Sequence, residues 1–291
     1  MLFRRRSELT AAQSAALATV LRAPTFELVP LKNALDQAAF LPPGATVSVT
    51  ASPAKGIEAT VALCEQLQAL GFRAVPHLSA RMIRDRAHLS ELIAWMEGAG
   101  VDRAFIVGGD AKEPGDYVDG LSLLREMAEI GHPLSEIGIP CYPQGHAFIA
   151  DAPLLEALRA KAAFASYMTT QLCFDPLSIR TWLTARRAEG ITLPVHVGLP
   201  GVAEPQKLLA ISARIGVADT HRFLVKNTQF IARLIRSGGF YRPDGLLEGL
   251  APVIADPASG IVDMHLYTFN AVDVTERWRQ AYLEKLAVLV A

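Results

Sequence analysis

Short apolar runs that stop at a polar or glycine residue recur eight times along the chain, with amphipathic segments between them. The first is TFELVP, residues 25–30, where Glu27 stands between Phe26 and Leu28 and Pro30 ends the run. TVSVTAS (46–52), RAVPHLSA (73–80), RAFIVGGD (103–110), IGIPCYP (137–143), YMTTQLCFD (167–175), LPVHVGLPG (193–201) and IVDMHLYTF (261–269) follow. Runs of this length read as strands buried on both faces. Between them the period changes to three and four residues. Ile57, Val61, Cys64 and Leu67 mark the buried face of a helix over 56–70. Further helices are predicted over 88–97, over 117–130 and from about 153 to 164. Another opens at Pro176, where a first-turn proline loses no hydrogen bond, and runs to 190. Two or three helices are expected across 205–255, and one over 272–290. A helix over 7–22, capped by Ser7, precedes the first strand.

Strands alternating with helices predict a parallel sheet. Eight of them in one domain length predict an α/β fold, a closed (β/α)8 TIM barrel, rather than a doubly wound open sheet. Such a barrel needs roughly 250 residues, and this chain has 291. The expected organisation is a helical extension over 1–24 and the barrel over 25–291. Barrel active sites lie at the C-terminal ends of the strands. Glu27, Thr50, His77, Asp110, Tyr142, Gln171, Gly198 and Tyr267 are therefore expected to converge on one mouth.

A net charge of −1, with no basic tract after the opening MLFRRR, argues against nucleic acid and anionic membrane as partners. No apolar stretch reaches signal or membrane-spanning length. Cys64, Cys141 and Cys173 are odd in number and far apart, which fits neither a disulfide framework nor a zinc site, so a reducing cytoplasm is expected. The partner expected is a small molecule, and a homo-oligomer is compatible with this composition.

Glu27 is the leading candidate acid. Its apolar neighbours should partly desolvate it, and a desolvated carboxyl can deliver a proton near neutrality; the plainer reading is an ion pair with Lys32. Asp110 follows Gly108 and Gly109, which let a flat ligand approach the backbone, or it caps a turn. Neither a G-x-G-x-x-G nor a phosphate-binding loop is present. His77 and His146 have no partner at metal-ligand spacing, and no metal is expected. Gln171 is an amide within an apolar run and suits the edge of a heterocycle. Tyr142 and Tyr267, taken singly, read as core, Arg159 and Lys161 as a solvated helix face, and His265 as structural. Ser48, Ser52 and Ser79 lack the G-x-S-x-G context of a nucleophile.

Taken in order, seven segments resemble the methylenetetrahydrofolate reductases. TFELVP resembles that family's FEFFPP and VSVTASP its VSVTYGA. PHLSAR, IVGGD, CYPQGH, TTQLCFD and HLYTFN are similar to its PHLTC, LRGD, AYPEVHP, ITQFFFD and FHFYTLN. The resemblance implies a (β/α)8 barrel holding FAD, active in methionine biosynthesis and one-carbon metabolism. It would interconvert 5,10-methylene- and 5-methyltetrahydrofolate by hydride transfer at the flavin. It makes Glu27 the catalytic acid and Asp110, Gln171, Gln206 and Tyr267 the substrate-binding set. Thr50, Ala51, His77, Gly109, Asp110, Tyr117, Tyr142, His146, Asp151, Arg159 and Lys161 would contact FAD. The chain departs from the family at Leu31, Gly108, Ala51 and Ala271. The helix after the seventh strand offers Leu208, Leu209 and Ile211 where the family has an aromatic, with Gln206 or Lys207 beside them, which implies that NADH is a poor electron donor. An FAD-independent folate reductase and a non-catalytic folate-binding barrel are the alternatives.

Overall fold

The computed structural model describes residues 9–146, 148–208 and 239–290. Eight parallel strands close into a barrel in chain order: β1 (Thr25–Leu28), β2 (Thr46–Val49), β3 (Arg73–Ser79), β4 (Arg103–Val107), β5 (Glu136–Cys141), β6 (Tyr167–Thr170), β7 (Val195–Pro200) and β8 (Ile261–Tyr267). β8 pairs with β1 through Thr25↔His265 and Glu27↔Tyr267, which completes the ring. The predicted (β/α)8 TIM barrel is the observed fold.

Around the strands lie α1 (Ala11–Arg22), α2 (Ala34–Ala38), α3 (Glu58–Ala69), α4 (Arg86–Gly98), α5 (Gly120–Ile130), α6 (Asp151–Lys161), α7 (Pro176–Ala188), α8 (Asp244–Ile254) and α9 (Val272–Val290). Their starts follow local chemistry. Asp85 caps α4 by accepting from the His88 amide, and Asp119 and Ser122 form a reciprocal capping box on α5. Asp175 accepts from the amides of Leu177 and Ser178 while Pro176 opens α7. Thr10, with Gln13, caps α1. Ser7, the predicted cap, lies outside the described residues, as do 209–238 with Leu209 and Ile211, so that a helical turn at 205–208 and α8 are the described parts of the helices expected over 205–255.

Strands alternate in facing direction. Phe26, Leu28, Val47, Val49, Met264 and Leu266 point to the helices and are fully buried. The alternate residues point into the barrel, where Val75, Phe105 and Tyr167 form a small apolar plug of their own. Most strands are shorter than the apolar runs suggested. β6 ends at Thr170 because Gln171 folds its side-chain oxygen back onto the Leu172 amide. Leu172 and Phe174 then leave the sheet and pack on Ala203, Leu208 and Tyr241 at the rim. Among the described residues no helix is long and apolar enough to cross a membrane.

Candidate active site at the barrel mouth

Period-two alternation brings Glu27, Ser48, His77 and His265 from four strands to one level inside the barrel. His265 Nε2 lies 3.2 Å from Glu27 Oε2. His77 Nε2 lies 3.9 Å from the same oxygen and 2.7 Å from Ser48 Oγ. The Thr268 hydroxyl donates to the Glu27 carbonyl at 2.5 Å, which anchors the strand end. Burial holds His77 down at about 4, although the Glu27 charge pulls the other way. At neutral pH His77 is therefore uncharged, and its bond to Ser48 is between neutral groups. Phe105 packs 4.8 Å from the His77 ring and Tyr267 4.9 Å from the His265 ring, so the carboxylate sits among aromatic walls. The Tyr267 hydroxyl donates to the Thr170 carbonyl at 2.9 Å, and burial followed by the Glu27 charge keeps it a phenol. Glu27 is thus the carboxylate of this level, held on one oxygen by an imidazole: an arrangement suited to proton transfer.

A second group gathers a few strands away. A cavity of about 640 Å³ opens beside the end of β5 and is lined by Tyr142, His146, Asp151 and Lys161 together with Trp182 and Arg186 from α7. The Tyr142 and His146 rings meet edge to face at 5.2 Å. Burial pushes Tyr142 up to about 12 and lowers Lys161, whose ammonium has no carboxylate within ion-pair distance among the described residues. A desolvated cation of this kind favours an anionic ligand.

The remaining predicted residues are dispersed. Thr50 and Ala51 lie on the loop after β2, where the Thr50 carbonyl accepts from Thr60. Gly109 and Asp110 are exposed on the loop after β4. Gly109 has φ 85°, and a Cβ there would overlap Ser79 Oγ, so this tight approach admits only glycine. Tyr117 is buried in the core outside the sheet. Arg159 is exposed and paired with Glu189 at 3.1 Å. Gln206 is exposed, and Lys207 donates to the Phe269 carbonyl. His265, expected to be structural, lies against Glu27 inside the barrel. The signal was available: His265 stands two residues before Tyr267 and so shares its inward face. Trp182 and Arg186 gave no signal beyond their helix.

No family model matches this chain. It is similar to the crystal structure of a phosphonomutase candidate from Burkholderia cenocepacia J2315, with 15% identity over 97% of this chain and 98% of that one and a TM-score of 0.46. A lyase/mutase candidate from the same organism is similar over 96% of this chain and 87% of that one, with 15% identity and a TM-score of 0.45. Neither is a folate reductase. With no family model matching, the resemblance to the methylenetetrahydrofolate reductases is withdrawn, and with it the folate reaction, the oxidoreductase class, the folate-linked flavin chemistry and the place in one-carbon and methionine metabolism. A physical reason lies in the segments themselves. All seven fall on a barrel strand and the turn after it, where any (β/α)8 chain puts an apolar run followed by polar residues. Their shared order reflects the barrel. The mutase and lyase names, at this distance, describe those proteins and not the reaction of this one.

Proposed function

We propose that this barrel is an enzyme that moves a proton to or from a small organic substrate at its mouth, with Glu27 as the acid or base. The observation that carries this is the carboxylate at the end of β1, gripped on Oε2 by His265 beside a neutral His77. Because His265 engages Oε2 while the His77 ring is bonded to Ser48, Oε1 is the oxygen left to exchange a proton with the substrate. His265 fixes the carboxylate's orientation, and the surrounding rings limit water, which strengthens the electrostatic contacts of a bound substrate. A barrel with one acid/base and no nucleophilic serine motif fits proton abstraction or delivery better than acyl transfer.

The test is solvent deuterium exchange into a panel of small carbonyl and carboxylate metabolites, followed by mass spectrometry. Wild type is expected to label at least one compound. Glu27→Gln is expected to bind that compound and to label it two to four decades more slowly, roughly the range for a lost general acid or base. Equal labelling by Glu27→Gln overturns the reading.

FAD is proposed as a cofactor on separate grounds. The cavity between β5, α6 and α7 offers Lys161 to phosphates, Asp151 to ribose hydroxyls and the Tyr142 and His146 rings to a flat group. Bound there it would supply electron transfer. Purified protein would be yellow and release flavin on denaturation, whereas colourless protein that leaves added FAD unbound would reject it. The compartment proposed is the cytoplasm, consistent with Cys64 and Cys141 as buried thiols whose ionisation burial opposes.

A further inference from the structure

The floor of the barrel carries a second group of ionisable side chains that the mouth chemistry does not use. β7 and β8 pair as Val195↔Ile261 and then His196↔Asp263, so Val262 is an extra residue and the register shifts there. Such a bulge re-aims the side chains after it. Val262 is 54% exposed, and Asp263, half-buried, pairs in register with His196. His196 Nδ1 lies 3.9 Å from Asp263 Oδ2 and, among the described residues, has no hydrogen-bond partner. The His196 ring stacks on Tyr167 at 4.0 Å, which holds it in place.

Charge compensation for Asp263 is weak on every side. Arg103 on β4 is the nearby cation, but it already pairs with Glu136 on β5 at 3.1 Å and faces Asp102 at 3.8 Å. Glu136 itself repels a carboxylate at the floor. Thr25 on β1 offers a hydroxyl at 3.4 Å, and the Met264 amide donates at 2.8 Å. His265, one level up, is engaged with Glu27. Arg187 on α7 is held by the carbonyls of Ile191, Leu193 and Ser259. Burial, the largest cause, accordingly raises Asp263 from 3.8 to about 7, and it lowers His196 from 6.5 to about 3.

We propose that the floor is a proton switch: Asp263 is neutral when the β7–β8 seam is closed, and its ionisation beside an uncharged His196 loosens that seam at the bulge. The experiment is hydrogen exchange on the whole chain at pH 6 and pH 8.5, corrected for intrinsic exchange, with the β2–β3 seam as internal reference. Protection along β7–β8 is expected to fall tenfold or more at the higher pH while β2–β3 is unchanged, and Asp263→Asn is expected to abolish the difference. Equal changes in both seams, or a difference that survives in Asp263→Asn, overturns the proposal. Should that variant fail to fold, the comparison of the two seams in wild type decides alone.

Discussion

Glu27 could be picked out from the sequence because a charge inside an apolar run is conspicuous and must find partners. Asp263 and His265 carry the same signal inside IVDMHLYTF, but their partners, His196 and Glu27, are known only once the register against the neighbouring strand is fixed, and Ser48 gives no such signal. Glycines show the same limit. Gly198 read as a residue at a strand end, yet in the barrel it sits where a Cβ would overlap both the Thr170 carbonyl and the Tyr267 ring. Its amide donates to Thr170 Oγ1 at 2.8 Å, so the backbone cannot simply retreat. Gly198→Ala should therefore displace Tyr267 from the wall of the mouth and cost about 1–3 kcal/mol, as overpacking in a filled core does. Urea unfolding measures the cost. A variant as stable as wild type would show that the Tyr267 ring is free to move.

Element existence was legible from the change of period, and element ends were not. β4 was expected to reach Asp110 but stops at Val107, since its run continues into a glycine turn that makes no ladder. The role of α1 was also out of reach, because it depends on one side chain more than two hundred residues away. Arg279 on α9 is 2% exposed. It donates to the Leu21 and Arg22 carbonyls at the end of α1 at 2.7 and 3.0 Å, and it forms a two-pronged pair with Glu276 at 2.7 Å. The last carbonyls of a helix need such a donor when they are buried. Arg279→Leu would strand the Glu276 charge and both carbonyls, at about 3–5 kcal/mol by the usual cost of breaking a buried pair. Adding Glu276→Leu should recover part of that loss, since the stranded charge goes with it. If the double variant is less stable than the single one by denaturant unfolding, the pair is not the anchor.

For the whole molecule, the barrel followed from eight repeats of one plan, but the same repetition misdirected the family assignment. What stays specific to this chain is an interior that is ionisable at two levels, and that fixes how its stability depends on pH. His77 sits at about 4 and His196 at about 3, against an ordinary 6.5. Both bind fewer protons folded than unfolded, so their contribution is present above pH 6.5 and fades as pH falls towards 4. Asp263 runs the other way. It sits at about 7 against 3.8, so its contribution is present at acid pH and is lost as pH rises through 7. From these three groups the unfolded chain binds a net one proton more between about pH 4 and 6.5, two imidazoles against one carboxyl. Stability should then rise there by ~1.4 kcal/mol per pH unit, one proton's worth. Asp263→Asn removes the opposing carboxyl and should double that slope, whereas His77→Gln should flatten it. Chemical denaturation of the three proteins at half-unit steps of pH gives the slopes directly, and parallel curves for wild type and Asp263→Asn would show that Asp263 is ionised in the folded barrel throughout this range.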